Sequence, residues 1–136
     1  MKIAVVGSYG VGLTMRVPRM PDAGETLLGG EFSDGPGGKG SNQAIGAARL
    51  GADVSLLPAI GGDAFGRSGQ ELWAREGVDA RKTVIVDDAA TMVGFIVVEP
   101  NGENRIVLAA GALDHLDAAH VESFRPEIAA ADVLVV

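Results

Sequence analysis

The chain has 136 residues, 47% of them hydrophobic and 21% charged, which gives it the length and apolar content of one folded domain. Its 11 basic and 18 acidic residues leave a net charge of −7, which argues against nucleic-acid binding as the main function. Without cysteine it has no disulfides, thiolate metal sites or cysteine nucleophiles, and no apolar run approaches the roughly 20 residues of a bilayer crossing. The expectation is a cytoplasmic protein with neither a membrane nor a nucleic-acid partner.

The elements follow in chain order. Ile3–Gly7 is a short apolar run ending in glycine, the pattern of a buried strand that opens an α/β domain. Leu13–Val17 and Thr26–Phe32 carry strand formers, and Pro18 and Pro21 forbid a helix between them. After Gly35-Pro36-Gly37-Gly38-Lys39-Gly40, either Ser41 or Asn42 is placed to cap a helix that runs to Leu50, with Gly51 just past its end. Val54–Ile60 reads as a second core strand. Asp63 then caps a helix over Ala64–Glu76 that Gly77 closes.

The second half begins with three strands, Thr83–Val86, Thr91–Val98 and Arg105–Ala109. The last two are joined through Pro100-Asn101-Gly102, a strong hairpin signal. A helix is expected from Asp117, and Pro126 suits the first turn of another. Asp132–Val136 reads as a buried parallel strand, which needs a neighbour to follow it. The order implies a parallel sheet with helices on both faces and a small β-rich appendage. The expectation is the N-terminal part of a longer protein.

Glycine, 20 of 136 residues, is clustered, which points to backbone brought close to a ligand or to other backbone. Gly7-Ser8-Tyr9-Gly10-Val11-Gly12 follows a strand, but its glycine order is not that of a dinucleotide fingerprint and no helix follows it. Gly37-Gly38-Lys39-Gly40-Ser41 is not a nucleotide P-loop, because Gly40 stands where a magnesium-binding Ser or Thr belongs. Glycines leading into a helix still offer free N–H groups, and Lys39 and Asn42 add a cation and a carboxamide. That chemistry suits a neutral polyol or an anion. A tight structural turn with a surface lysine explains the run equally well.

The remaining candidates have plainer readings. Asp63 is a helix cap, Glu25 a turn residue, Trp73 a core residue, and Asp87 and Asp88 a solvated loop. His115 and His120 have no partner at metal-binding spacing, so no metal site is expected.

Taken together, these motifs resemble the ribokinase-like (PfkB) family of carbohydrate kinases. Four pieces match in order. They are the first strand ending in Gly7-Ser8, then Pro21-Asp22-Ala23-Gly24-Glu25-Thr26, then Gly37-Gly38-Lys39-Gly40-Ser41-Asn42-Gln43-Ala44, and Gly61-Gly62-Asp63-Ala64-Phe65-Gly66. The third is the most specific, and Asn101–Arg105 and Ala110-Gly111-Ala112 sit where the family's lid hairpin and its return occur. The resemblance implies a ribokinase-like α/β fold over residues 1–136, with lid strands at about 13–34 and 91–110 and the C-terminal half of the fold absent. It implies an ATP-dependent kinase acting on a sugar hydroxymethyl group, with a nucleoside kinase or a non-catalytic binding or dimerisation fragment as alternatives.

The implied substrate-binding residues are Gly10, Val11, Gly12, Gly38, Lys39, Gly40 and Asn42, with Gly94, Ile96 and Leu108 in a lid over the substrate. ATP, Mg2+ and K+ are the implied cofactors, with sites outside this chain, and a homodimer formed through the lid is the implied assembly.

Two departures qualify the resemblance. Gly10 and Gly12 stand where the family usually has Asn and Asp, and Leu113 where it has Asn. Losing a carboxylate that accepts two hydroxyl bonds costs on the order of several kcal/mol for ribose. A bulkier or differently oriented substrate, another sugar or a nucleoside, would use the space. In addition, no segment matches the family's G-A-G-D motif, which carries the general base and anion hole. The base is therefore expected beyond Val136, and residues 1–136 alone are expected to be inactive.

Overall fold

The computed structural model describes residues 1–136. Its centre is a three-stranded parallel sheet in which β1 (Lys2–Val6) lies between β4 (Asp53–Leu57) and β9 (Val133–Val135). Alternation along β1 sends Val5 to one face and Ala4 to the other, and each face has its own core. Helices α1 (Lys39–Arg49) and α2 (Ala64–Glu76) cover the first, where Ala44, Ile45, Leu72 and Trp73 pack on Val5, Val54 and Leu56. The short helices α3 (Ala118–Ser123) and α4 (Arg125–Ala130) cover the second, where Phe124 packs on Ala4 and Leu57. Parallel strands with both faces covered are the expected architecture.

The expected strand Val54–Ile60 is two strands. Pro58 interrupts it, leaving β4 and a separate β5 (Ala59–Gly61) that pairs in parallel with β6 (Val84–Val86). The expectation that Asp132–Val136 is a buried strand also fails: the strand is Val133–Val135, and Val133 and Leu134 keep 43% and 47% of their surface exposed. This strand touches the sheet on one edge only, through β1.

The appendage is a four-stranded mixed sheet, ordered β3 (Glu31–Gly37), β2 (Gly10–Arg16), β7 (Met92–Val98), β8 (Asn104–Ala109). Only β2 and β7 are parallel. Thr26–Phe32 was expected to supply a strand, yet residues 25–30 are irregular, and the strand starts at Glu31 and continues through Gly35-Pro36-Gly37. These poor strand formers are held by pairing rather than propensity: Gly37 lies opposite Gly10 and Gly35 opposite Gly12.

Helix termini follow the local chemistry. Asp63 accepts from the Gly66 N–H, and Gly77 closes α2 at φ 72°, a conformation that other residues adopt at a cost. Asp117 caps α3, with His120 reaching back to it.

A candidate sugar-binding cavity

Chain direction brings the glycine segments together. β1 leaves the sheet at its C-terminal end, passes through Gly7–Tyr9 and becomes β2, while β3 turns at Gly38 into α1. A crevice outside the carboxyl ends of parallel strands is where open α/β folds bind ligands. A cavity of about 420 Å³ lies there, between the start of α1 and one face of the mixed sheet.

Of the residues expected in the site, Gly10, Val11, Gly12, Gly38, Lys39, Asn42, Gly94, Ile96 and Leu108 all line this cavity. Gly40 does not. It is buried against the exit of β1, where an added Cβ would fall 2.6 Å from Gly7 Cα, so its glycine identity serves close backbone approach. Gly38 has φ 92°, and an added Cβ there would fall 2.5 Å from the Ser8 carbonyl oxygen.

The expectation that Ser41 or Asn42 caps α1 is corrected. Gly38 is the N-cap, no side chain caps the helix, and both residues lie inside its first turn. The Ser41 N–H donates to the Ser8 carbonyl at 3.0 Å, and the Asn42 N–H to the Gly38 carbonyl at 3.0 Å. The Lys39 and Gly40 N–H groups make no backbone hydrogen bond. Ser41 Oγ instead accepts from the Trp73 indole N–H at 2.8 Å, which ties α1 to α2 beneath the cavity. Tyr9 packs edge-on against Trp73, with ring centroids 5.0 Å apart, and its hydroxyl donates to the Phe65 carbonyl. Burial pushes the Tyr9 hydroxyl pKa up, and the charge of Asp63 adds to this.

The cavity is mostly apolar. Ser8, Lys39 and Asn42 are its only polar side chains; Lys39 and Asn42 are exposed and make no hydrogen bond within the chain. One ammonium, one carboxamide, one hydroxyl and the free Lys39 amide can donate to and accept from the hydroxyls of a small polyol. The set lacks the carboxylates that a magnesium ion takes, and nowhere in residues 1–136 do three His, Asp or Glu side chains gather for a metal.

Met92, Ile106 and Leu113 also line the cavity, although the sequence reading gave them no role in it. Alternation along β7 and β8 would have located the first two, since Met92 shares a face with Gly94 and Ile96, and Ile106 with Leu108. Glu25 stays outside the cavity. It pairs with Arg19 and accepts from the Asp22 N–H at 2.8 Å, closing the β2–β3 connection on itself, and the Arg19 guanidinium holds its carboxyl below the ordinary range.

Asp63 has more partners than a helix cap needs. Besides Gly66, its carboxylate accepts from the Thr91 N–H at 2.8 Å and the Thr91 hydroxyl at 2.7 Å. Burial pushes its pKa up, but these hydrogen bonds outweigh that and hold it below the ordinary aspartate value.

Comparison with known proteins gives the family. Residues 1–136 match the pfkB family carbohydrate kinase profile. The chain is 39% identical over 133 residues to the ribokinase of Haemophilus influenzae, covering 98% of this chain and 44% of that protein. It superposes on the ribokinase of Giardia lamblia with a TM-score of 0.89 at 31% identity, over 98% of this chain and 40% of the other. A ribokinase of Arabidopsis thaliana solved with ribose and ATP matches 81% of this chain and 36% of its own, at 28% identity and a TM-score of 0.73. The chain thus spans less than half the length of these relatives. With the match running over all 136 residues, the chain belongs to the pfkB family of carbohydrate kinases and has the ribokinase-like α/β fold.

Proposed function

We propose that these residues form the sugar-binding part of an ATP-dependent carbohydrate kinase that phosphorylates the hydroxymethyl group of a small sugar. One observation carries the reading: Lys39 and Asn42, in the first turn of α1, line a single cavity under the mixed sheet with side chains that have no hydrogen-bond partner in the chain. Relatives named ribokinase support it, one of them solved with ribose and ATP. In this reading Lys39 and Asn42 orient the sugar, and the mixed sheet is a lid that excludes water, so that the phosphoryl group reaches the sugar and not solvent. The general base, ATP, Mg2+ and any K+ are held elsewhere in the full-length protein. Residues 1–136 alone bind without transferring phosphate, and the lid pairs with a second copy.

Lys39→Ala in the full-length protein tests the sugar site. Loss of a charged hydrogen-bond donor is worth about 1.5–3 kcal/mol, so the sugar KM should rise about tenfold or more while the ATP KM stays near its original value. An unchanged sugar KM would remove Lys39 from the site.

A further inference from the structure

The bonds that Asp63 makes beyond capping converge on the root of the lid. A helix cap needs one accepted hydrogen bond, which Gly66 supplies. The two from Thr91 leave α2 altogether. Thr91 is 1% exposed and directly precedes β7, whose Met92, Gly94 and Ile96 line the cavity. Its hydroxyl also accepts from the Gly61 N–H at 3.0 Å, joining it to the end of β5. One residue earlier, the Ala90 carbonyl accepts from the Ala112 N–H at 2.8 Å, which fixes the turn leading from β8 to Leu113. Both ends of the β7–β8 hairpin are therefore gathered at residues 90–91, and Asp63 holds that point to the core.

We infer that Asp63 is a positioning residue: through Thr91 it sets the angle at which the β7–β8 half of the lid stands over the cavity. Asp63 does not line the cavity, so substrate affinity depends on a carboxylate that never touches the substrate. Freed from Thr91, Gly94, Ile96 and Leu108 shift together, and displacements of about 1 Å at a binding wall are costly. The inference rests on the sugar-binding reading above.

The experiment uses the full-length protein and cuts the link from both ends. Asp63→Ser keeps a helix-capping oxygen but is too short to hold Thr91, whereas Thr91→Val keeps the shape and removes the hydroxyl. Thr91→Ser restores the hydroxyl and serves as the rescue. Calorimetry with D-ribose should show Asp63→Ser binding about tenfold more weakly, Thr91→Val, which keeps the main-chain bond to Asp63, weakened by a smaller factor, the double variant no weaker than Asp63→Ser, and Thr91→Ser close to the original. Phe124→Leu, a change in the core on the far face of the central sheet, should lower the melting temperature without altering the affinity for ribose.

Hydrogen exchange supplies a readout that needs no sugar. In Asp63→Ser the amides of β7 and β8 should exchange faster, while those of the first turn of α2 stay protected by the serine cap. Faster exchange confined to α2, or a lowered melting temperature with unchanged affinity for ribose, would make Asp63 a helix cap only and overturn the inference. Phosphoryl transfer is assayed separately: failure to turn over ATP, with the affinity and exchange changes present, would count against the kinase reading and leave the lid anchor standing.

Discussion

A carboxylate at position 12 would project from the cavity face of β2 once the Ile96 side-chain methyl yields a few tenths of an ångström. An added Cβ there meets only Ile96 Cδ1 at 3.3 Å and the Gly35 carbonyl oxygen at 3.9 Å. Nothing in the backbone demands glycine at this position, and glycine in a strand costs about 0.5–1 kcal/mol relative to alanine. Gly12→Asp in the full-length protein should therefore fold, and it should bind D-ribose about tenfold more tightly, because the new carboxylate accepts hydroxyl hydrogen bonds. Calorimetry measures this, and an affinity that is unchanged or weaker would mean the sugar hydroxyls face another wall. Asp63 yields a prediction in pH. Its carboxyl is held below the ordinary value in the folded state, so its contribution is complete above the unfolded aspartate pKa. That contribution is lost as pH falls through the lowered folded value. Thermal melts below about pH 4 should fall more steeply for the original protein than for Asp63→Asn, which has no carboxylate to protonate. Parallel curves would remove Asp63 from the acid response.

At the scale of elements, α1 and α2 are joined by one buried hydrogen bond, from the Trp73 indole to Ser41 Oγ. Ser41→Ala would strand that N–H in the core at a cost of about 1–3 kcal/mol, and urea unfolding should show a loss of this size. A change within a few tenths of a kcal/mol would mean that the indole finds another acceptor. This contact also marks what the sequence could and could not convey. The span of α2 was legible in full, because an aspartate, a helical apolar pattern and a closing glycine are all local signals. The β7–β8 hairpin was legible from its turn for the same reason. The other helix starts at Lys39, earlier than a Ser41 cap suggests, because the positive φ of Gly38 and the Ser8 carbonyl set its first turn. Gly10–Gly12 and Gly35–Gly37 look like turn residues, yet they are strands through pairing with one another, a non-local cause that propensity does not express. The glycine motif identified the cavity's floor, but the link from Asp63 to Thr91 joins residues 28 apart in sequence with no motif at Thr91.

For the whole molecule, the exposed side of the lid is the feature that most needs a partner. β8 is an edge strand, and Ile106, Val107 and Leu108 are exposed in succession, although alternation sends them to opposite faces. On the face away from the cavity, Phe95 lies opposite Val107, with Phe32 also exposed two strands away. A hydrophobic edge left in water templates association, and natural proteins cover such edges or place charges on them. A second copy related by a two-fold axis would bring the same patch against itself and cover both edges at once. On that argument the full-length protein should sediment as a dimer. Val107→Glu places two like charges near the axis in a desolvated contact, so it should shift the protein toward the monomer, and Phe95→Ser should add to the shift by removing apolar area. Sedimentation velocity reads the outcome directly. A monomeric original protein, or a dimer indifferent to both substitutions, would place the subunit contact elsewhere. A shift to monomer accompanied by weaker ribose binding would mean that the partner holds the lid in its working position, so that assembly and substrate affinity are coupled through the same four strands.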